Sequence, residues 1–339
     1  MKNWIARLFG GGDAAAPETH PVAAAGTVAP AAHAPPPGPA DPEPEPDRGP
    51  AFWRWLTAGA AATAPTAQAL PHARLVLGEL DRLIEAPVDA GGLVPRVPEV
   101  IPQLLRSLRD EAASSADLAR QVARDPAMVA ELIREANSPF YRSSSQVRTI
   151  DAALLVLGRN GLRMLLARAA FRPLIGMQGG RHSRQAGPRI WNHTEQCARA
   201  ASLLAPAMGA DPFEAYLAGL LDDLGLIVAL RLFDGMLDAD ALPQDPEFLG
   251  ALLARTRTLA ARVALQWELP PPIAAAILGA QGEGPSAGQP LAITLGRAER
   301  LATLRLLLDA GMLDAGDPSV TGLDAASARV LERLAPADL

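Results

Sequence analysis

One stretch of this sequence limits the possible folds more than any other. Residues Asp211 to Phe233 read DPFEAYLAGLLDDLGLIVALRLF, the most apolar helical pattern in the chain, with two adjacent aspartates in its middle. The first residues carry a helix-start signal: Asp211 can cap, Pro212 suits the first turn, and Glu214 completes an Asp-x-x-Glu capping box. The pattern therefore predicts one helix from Asp211 to Phe233.

The two faces of this predicted helix differ in side-chain size. Leucines recur at the spacing i, i+3, i+4, i+7 on one face, whereas small residues line the opposite side. Such a helix is packed on both sides. Asp222 is then expected to face a closely approaching neighbour and Asp223 the flank, so each needs a partner, a water-lined cleft or a raised pKa. Two interpretations stay open, a functional site or carboxylates that pair with arginines of neighbouring helices.

Composition favours an all-α protein. Aromatic residues make up only 4% of the 339 residues, and alanine and leucine are abundant in place of the β-branched residues typical of sheets. The formal net charge of −6 argues against a general nucleic-acid-binding protein. There is no run of 18 or more apolar residues, so we expect no membrane span and a cytoplasmic protein. Cys197, the single cysteine, excludes an internal disulfide and is predicted to be a buried, inert thiol.

The N-terminal part of the chain has the composition of a tether. Residues 1–12, MKNWIARLFGGG, form a short amphipathic tip that could dock on a membrane surface or a protein. Residues 13–69 are rich in alanine and proline and are predicted to be a disordered linker, although the cluster FWRWL at 52–56 leaves its own docking open. Residues 70–96 are predicted to be a helical connector. We expect the body from about Val97 to Leu334 to fold without the first 90 residues.

From Val97 onward the sequence predicts a series of capped helices. No fixed repeat is visible, so a compact bundle fits better than a solenoid. Polar or glycine-rich loops are predicted at 138–148 and 176–188. The predicted helices are Val100–Leu108, one opening at Ser114, Pro126–Asn137, Thr149–Leu157, Leu162–Ile175, Arg189–Met208, Asp211–Phe233, Pro246–Trp267, Pro271–Ala280, Leu291–Ala310 and about Leu323–Leu334.

Several short motifs follow one another in a fixed order between Val97 and about Ala280. They are Val97-Pro98-Glu99, Asp125-Pro126-Ala127, Ala136-Asn137-Ser138 with Tyr141, Ile150 with Ala152-Ala153 and Leu157-Gly158, Trp191-x-His193, Ala218-Gly219-Leu220-Leu221-x-Asp223-Leu224-Gly225, and Trp267-x-Leu269-Pro270 with Ile273 and Ala276-Ile277. This ordered set resembles the HDOD domain, a relative of the HD and HD-GYP phosphohydrolases. The resemblance implies a compact all-α bundle over residues 97–280. Residues 281–339 lie outside it, and we expect them to form a C-terminal helical extension that packs on the same body. The resemblance also implies a role in bacterial signal transduction.

The sequence departs from the phosphohydrolase pattern at the residues that bind metal. HD-type relatives carry a His-Asp pair where this chain has Asp222 and Asp223, so the motif is degenerate. Two further positions that are often histidine in such domains fall on Thr256 and on Gly279–Ala280. His193 is the one histidine on a helix that can face the aspartates. Since a catalytic metal needs about three protein ligands and an open position, we expect no bound transition metal.

The remaining candidates form a possible ligand pocket. We single out Trp191, His193, Asp222, Asp223 and Trp267 as structural or ligand-binding residues, with His193 and Asp223 expected to pair. No catalytic residue and no cofactor are expected.

Three functional interpretations stay open. The first is a non-catalytic regulatory module that binds a signalling protein or a small regulatory ligand. The second is a residual metal-dependent phosphohydrolase of a nucleotide or cyclic dinucleotide. The third is nucleic-acid binding through the arginine row Arg159, Arg163, Arg168 and Arg172, which we set below its alternative, a solvated helix face. No nucleic-acid partner is therefore expected.

Overall fold

A computed structural model describes residues 49–57, 69–85, 126–138, 141, 146–175, 179–236, 242–282, 286 and 288–335. These residues form helices and connecting turns without a β-strand, which confirms the predicted all-α class. Among the described residues, none of the helices combines the length and hydrophobicity that a membrane span requires. The helices are α1 (Gly49–Leu56), α2 (Ala69–Glu85), α3 (Pro126–Ala136), α4 (Ile150–Ile175), α5 (Arg181–Met208), α6 (Pro212–Leu221), α7 (Leu224–Met236), α8 (Pro246–Gln266), α9 (Pro271–Gly279), α10 (Pro290–Asp309), α11 (Pro318–Thr321) and α12 (Ala325–Arg333).

Local capping explains several helix ends that the sequence predicts. The Asp211 carboxylate accepts hydrogen bonds from the backbone N–H groups of residues 213 and 214 at the start of α6. Asp245 accepts in the same way at the start of α8. Within α4, Gly158 has a φ of 62°, so the helix is broken at the predicted glycine. The two aspartates satisfy N–H groups that a helix start leaves without partners.

Two predicted helix boundaries are wrong. The helix predicted from Asp211 to Phe233 is two helices, because α6 ends at Leu221 and α7 begins at Leu224. The glycine-rich loop predicted over 176–188 is also too long, since α5 begins at Arg181 and contains Pro188. Its first turn is capped from a distance: the Asp234 carboxylate accepts from the N–H groups of residues 182 and 183. A cap that lies 52 residues from the N–H group it satisfies is invisible to local sequence patterns.

The longest helix, α5, is the centre of the bundle. It contacts α1, α4, α6, α7, α10 and α12. Close approach to neighbouring helices needs glycine at two positions of the predicted central helix. A Cβ atom on Gly219 would lie 2.6 Å from the Cα of Ala198 on α5, and one on Gly225 would lie 1.9 Å from the carbonyl oxygen of Thr256 on α8. The small side of the predicted central helix is thus where neighbouring backbones approach.

The core also includes helices from the N-terminal part of the chain. Phe52, Trp53 and Leu56 of α1 are buried in it, as are residues of α2. The linker predicted over residues 13–69 is therefore wrong for residues 49–57, because three large apolar side chains give this segment enough buried surface to order it. The body does not begin at Val97. The predicted tip at 1–12, the helix Val100–Leu108 and the helix opening at Ser114 lie outside the described residues.

Candidate functional site

A buried cluster of polar side chains lies where α5, α8 and α10 meet the junction of α6 and α7. Its centre is His193 on α5, which is 1% exposed. The His193 Nδ1 lies 2.7 Å from Asp223 Oδ2, and its Nε2 lies 3.2 Å from the Thr303 hydroxyl on α10. Thr194 donates a second hydrogen bond to Asp223 Oδ2, at 2.9 Å. The predicted pairing of His193 with Asp223 is therefore confirmed.

The bonds around the imidazole fix the role of each ring nitrogen. A carboxylate only accepts, so Nδ1 carries a hydrogen and donates it to Asp223. Nε2 accepts from the Thr303 hydroxyl when the ring is neutral and donates to it when the ring is protonated. Burial alone lowers the pKa of His193, but the charge of Asp223 and its hydrogen bond outweigh burial and raise that pKa above its ordinary value. Asp223 therefore stabilises the protonated form of the ring relative to the neutral form.

Asp222 has the opposite environment from its neighbour. It is buried, and among the described residues its Oδ1 has no hydrogen-bond partner. Burial and the nearby charge of Glu299 raise the pKa of Asp222 to about 8, despite an opposing effect of Arg257. At neutral pH this carboxyl group is therefore protonated, which removes one negative charge from the cluster.

An ion pair closes the other side of the cluster. Arg257 on α8 donates to Glu299 on α10, and the Gln281 amide donates to the second carboxylate oxygen of Glu299 at 2.8 Å. Arg257 Nε is buried without a hydrogen-bond partner among the described residues. Burial alone lowers the pKa of Arg257, but interactions with Glu299 and Asp222 outweigh burial and raise it. The pair ties α8 to α10 beside Asp222.

Cys197 lies one helical turn after His193 and is fully buried, as the sequence predicts. Burial, together with the negative charges of Asp222, Glu299 and Asp223, raises the pKa of its thiol well above the ordinary value. The thiolate is the reactive form of cysteine. The environment of Cys197 therefore disfavours its reaction while the core stays closed.

One aromatic side chain of α1 lies against the histidine, and a second anchors the helix nearby. The Phe52 ring centroid lies 4.6 Å from that of His193, at an interplanar angle of 48°. Trp53 packs 6.4 Å from the Phe233 ring and donates its indole N–H to the carbonyl oxygen of Pro243 at 2.9 Å. Phe52 is therefore one of the side chains that bury the imidazole.

The structure brings together three of the five predicted site residues. His193, Asp222 and Asp223 lie in the cluster, whereas Trp267 stacks on Phe171 in the apolar core. Trp191 is half-buried against the core. Sequence reasoning missed six other contributors. They are Phe52, Thr194, Arg257, Gln281, Glu299 and Thr303.

One signal pointed to two of the missed residues. Glu299 and Thr303 are four residues apart, so they share one face of α10. Both lie beyond residue 280, where the family resemblance ends.

The arginine row does not form a continuous surface. Arg168 is turned inward, where it pairs with Glu131, Glu135 and Glu195, and Arg199 joins the last two. This network links α3, α4 and α5. An arginine that already binds three carboxylates is not available to phosphates, so the row lacks one of the four cations that a phosphate-binding stripe would need.

The cluster does not fit a transition-metal centre. Within the described part of the chain, no group of three His, Cys, Asp or Glu side chains is arranged to hold an ion. Zinc and similar ions bind imidazole through a nitrogen lone pair. In His193, Nδ1 donates to Asp223 and Nε2 faces Thr303. What the cluster can do chemically is hold a proton and a buried ion pair.

Comparison with known proteins identifies what the chain is similar to. The HDOD domain family matches residues 94–281, more than half of the chain. A solved structure of a candidate metal-dependent phosphohydrolase from Shewanella amazonensis aligns with a TM-score of 0.55 at 16% identity, covering 78% of this chain and 98% of that one. An HDOD domain protein of unknown function from Geobacter sulfurreducens aligns with a TM-score of 0.52 at 21% identity, covering 79% and 93%. These likenesses show the fold.

A sequence relative in Treponema pallidum, an uncharacterized protein, is 24% identical over 190 residues. The match covers 53% of this chain and 36% of that protein, so the chain corresponds to about a third of the relative's length.

Proposed function

The chain belongs to the HDOD domain family, and we propose that it is a non-catalytic regulatory module of bacterial signal transduction that binds a signalling protein or a small regulatory ligand.

The observation that carries this proposal is the state of the histidine. Both ring nitrogens of His193 already have partners, Asp223 at Nδ1 and Thr303 at Nε2. An imidazole bonded in this way offers no lone pair to a metal unless the Thr303 bond is broken. The neighbouring Asp222, at the position where HD-type relatives have a histidine, is protonated at neutral pH and is a poor ligand in that form.

The order hydroxyl, imidazole, carboxylate in Thr303, His193 and Asp223 is also the order of a nucleophilic triad. Here the hydroxyl and the imidazole are both buried, and Phe52 lies against the ring. A nucleophile must reach the substrate, so this arrangement supports a structural hydrogen-bond chain instead. We assign the three residues the task of fixing α5 against α10 and the junction of α6 and α7.

One observation favours the alternative, a residual phosphohydrolase. Asp222 Oδ1 is a buried oxygen without a hydrogen-bond partner among the described residues, and it lies next to Asp223 in sequence. Oxygen ligands of this kind suit magnesium more than zinc or iron.

The experiment that separates the two functions is metal analysis combined with an activity assay. The full chain is purified from cells supplied with zinc, manganese and iron, and its metal content is measured by mass spectrometry. Hydrolysis of bis-p-nitrophenyl phosphate and of cyclic dinucleotides is then assayed with added magnesium or manganese. We expect no stoichiometric transition metal and no hydrolysis.

Two variants make the result decisive. Asp223→Asn removes the charge that holds His193, and Asp245→Asn changes an exposed capping aspartate far from the cluster in sequence. A tightly bound ion and a phosphodiesterase activity that Asp223→Asn abolishes and Asp245→Asn retains would establish the enzyme. Thermal-shift measurements with the same cyclic dinucleotides test for the regulatory ligand.

A further inference from the structure

The helix α1 belongs to the described body but lies outside the family match, which begins at residue 94. The sequence after it, AGAAATAPTAQ at residues 58–68, contains no apolar side chain larger than alanine and proline. The attachment of α1 therefore depends on its own side chains. Phe52, Trp53 and Leu56 are its buried anchors, whereas Arg54 points to solvent.

The surface that holds α1 is built by the helices that carry the polar cluster. The helix contacts α5, α8 and α10, which supply His193, Arg257 and Thr303 respectively. Phe52 lies directly on the imidazole of His193. Trp53 adds a directional anchor, since its indole N–H donates to the carbonyl oxygen of Pro243, just before α8. The segment thus occupies a groove above the cluster.

Two properties make this attachment local and reversible. A helix of eight residues is not stable on its own, so α1 is ordered only while it is docked. The cluster also contains polar atoms that lack partners among the described residues, Asp222 Oδ1 and Arg257 Nε. Water that enters the cluster through an opening at His193 and reaches these two atoms would offset part of the free-energy cost of exposing apolar side chains.

We propose that residues 49–56 are a detachable intramolecular cover, docked as an aromatic helix in the groove formed by α5, α8 and α10, and that their release gives solvent and ligands access to the His193–Asp223 cluster. Release is a local opening of the structure, separate from global unfolding. This inference goes beyond the proposed function, and it holds whether or not the exposed cluster binds a metal or hydrolyses a substrate.

The chain contains its own reporter of this opening. Cys197 is the single cysteine, is fully buried, and lies within the electrostatic influence of Asp222, Glu299 and Asp223. Its rate of labelling by a thiol reagent such as 5,5′-dithiobis(2-nitrobenzoate) therefore measures how often the cluster opens. The rate is measured on the full native chain without denaturant.

Four variants test the cover. Trp53→Ala removes the main anchor and is expected to speed labelling of Cys197 on the order of 100-fold, because truncating a buried aromatic side chain is among the costlier core substitutions. Trp53→Phe keeps a ring but cannot form the hydrogen bond to Pro243, and about fivefold faster labelling is expected. Arg54→Ala changes the exposed face of the same helix, so its Cys197 should be labelled at the rate of the wild type. Leu132→Ala, in the buried core on α3, is the control for general loss of stability.

The comparison between the Trp53 variants and Leu132→Ala decides the outcome. The two variants are compared at equal distance below each protein's melting temperature, where both have the helical circular dichroism of the wild type. Faster labelling of Cys197 in Trp53→Ala than in Leu132→Ala supports the proposed cover. Equal acceleration in both would show that Cys197 is reached only through global unfolding, and no acceleration in Trp53→Ala would show that α1 does not control access. Either result overturns the inference. If Trp53→Ala does not fold, the same comparison is made with Trp53→Phe.

Discussion

Replacing Asp222 by asparagine should change how the stability of the protein depends on pH. The pKa of Asp222 is raised from 3.8 to about 8 in the folded protein. Between these two values the folded state holds a proton that the unfolded state has released. The free energy of unfolding of the wild type therefore falls as the pH rises through this window, and asparagine, which does not titrate, removes that contribution.

The magnitude follows from the width of the window. One pKa unit corresponds to about 1.4 kcal/mol. The interval from pH 5 to pH 7 lies wholly between the two pKa values. Over that interval, the titration of Asp222 therefore lowers the free energy of unfolding of the wild type by an amount on the order of 3 kcal/mol. The free energy of unfolding of Asp222→Asn minus that of the wild type should therefore be larger at pH 7 than at pH 5 by this amount. The raised pKa of His193 acts in the same direction as the pH rises, but both proteins retain that residue.

Urea denaturation followed by circular dichroism at pH 5, 6 and 7 measures the effect. The quantity of interest is the difference in free energy of unfolding between variant and wild type at each pH. Asp245→Asn, at an exposed helix cap, should show a difference that stays nearly constant over the same range. If the difference for Asp222→Asn is also constant, Asp222 is ionised in the folded protein and the reasoning from its burial is refuted.

Three further outcomes are expected. His193→Ala and Asp223→Ala should each lower the free energy of unfolding by about 3 to 5 kcal/mol, because each removes one member of a buried charged pair and leaves the other without it; a melting temperature unchanged in both would contradict the pair. Gly225→Ala should destabilise by about 1 to 3 kcal/mol, since its Cβ would meet a carbonyl oxygen of α8, whereas Gly250→Ala has open space and should be neutral or stabilising in the same melts. Removing residues 1–90 should lower the urea midpoint, because α1 and α2 supply core side chains; an unchanged midpoint would show that they contribute nothing.

Much of the fold follows from local sequence signals, because helix caps act within one turn. Asp211 and Asp245 begin helices where the sequence predicts, and Gly158 interrupts one. The break between α6 and α7 was not predictable in this way, since the leucine pattern continues through it. On an unbroken helix adjacent residues point about 100° apart, whereas the observed junction brings both Asp222 and Asp223 into one cluster.

The site was predictable where its residues belong to motifs and not elsewhere. His193 and Asp223 were found because they lie in two recognisable motifs and because a buried aspartate needs a partner. Arg257 and Glu299, which form an ion pair, are 42 residues apart in the sequence. Phe52 and His193, whose rings are in contact, are separated by more than twice as many residues. Pairs of this separation depend on how the helices pack, which no local pattern in a single sequence encodes. The aromatic cluster in α1 was visible, but its docking surface was not.

The junction between α6 and α7 also separates two helix dipoles. Asp222 caps the C-terminal end of α6, where the last carbonyl groups create a partial negative charge, and Asp223 directly precedes the first turn of α7, whose N–H groups create a partial positive charge. The first field disfavours a negative charge on Asp222. Two identical side chains one peptide bond apart therefore belong to the ends of two different helices, and the field at the end of α6 acts in the same direction as the burial and the Glu299 charge that raise the pKa of Asp222.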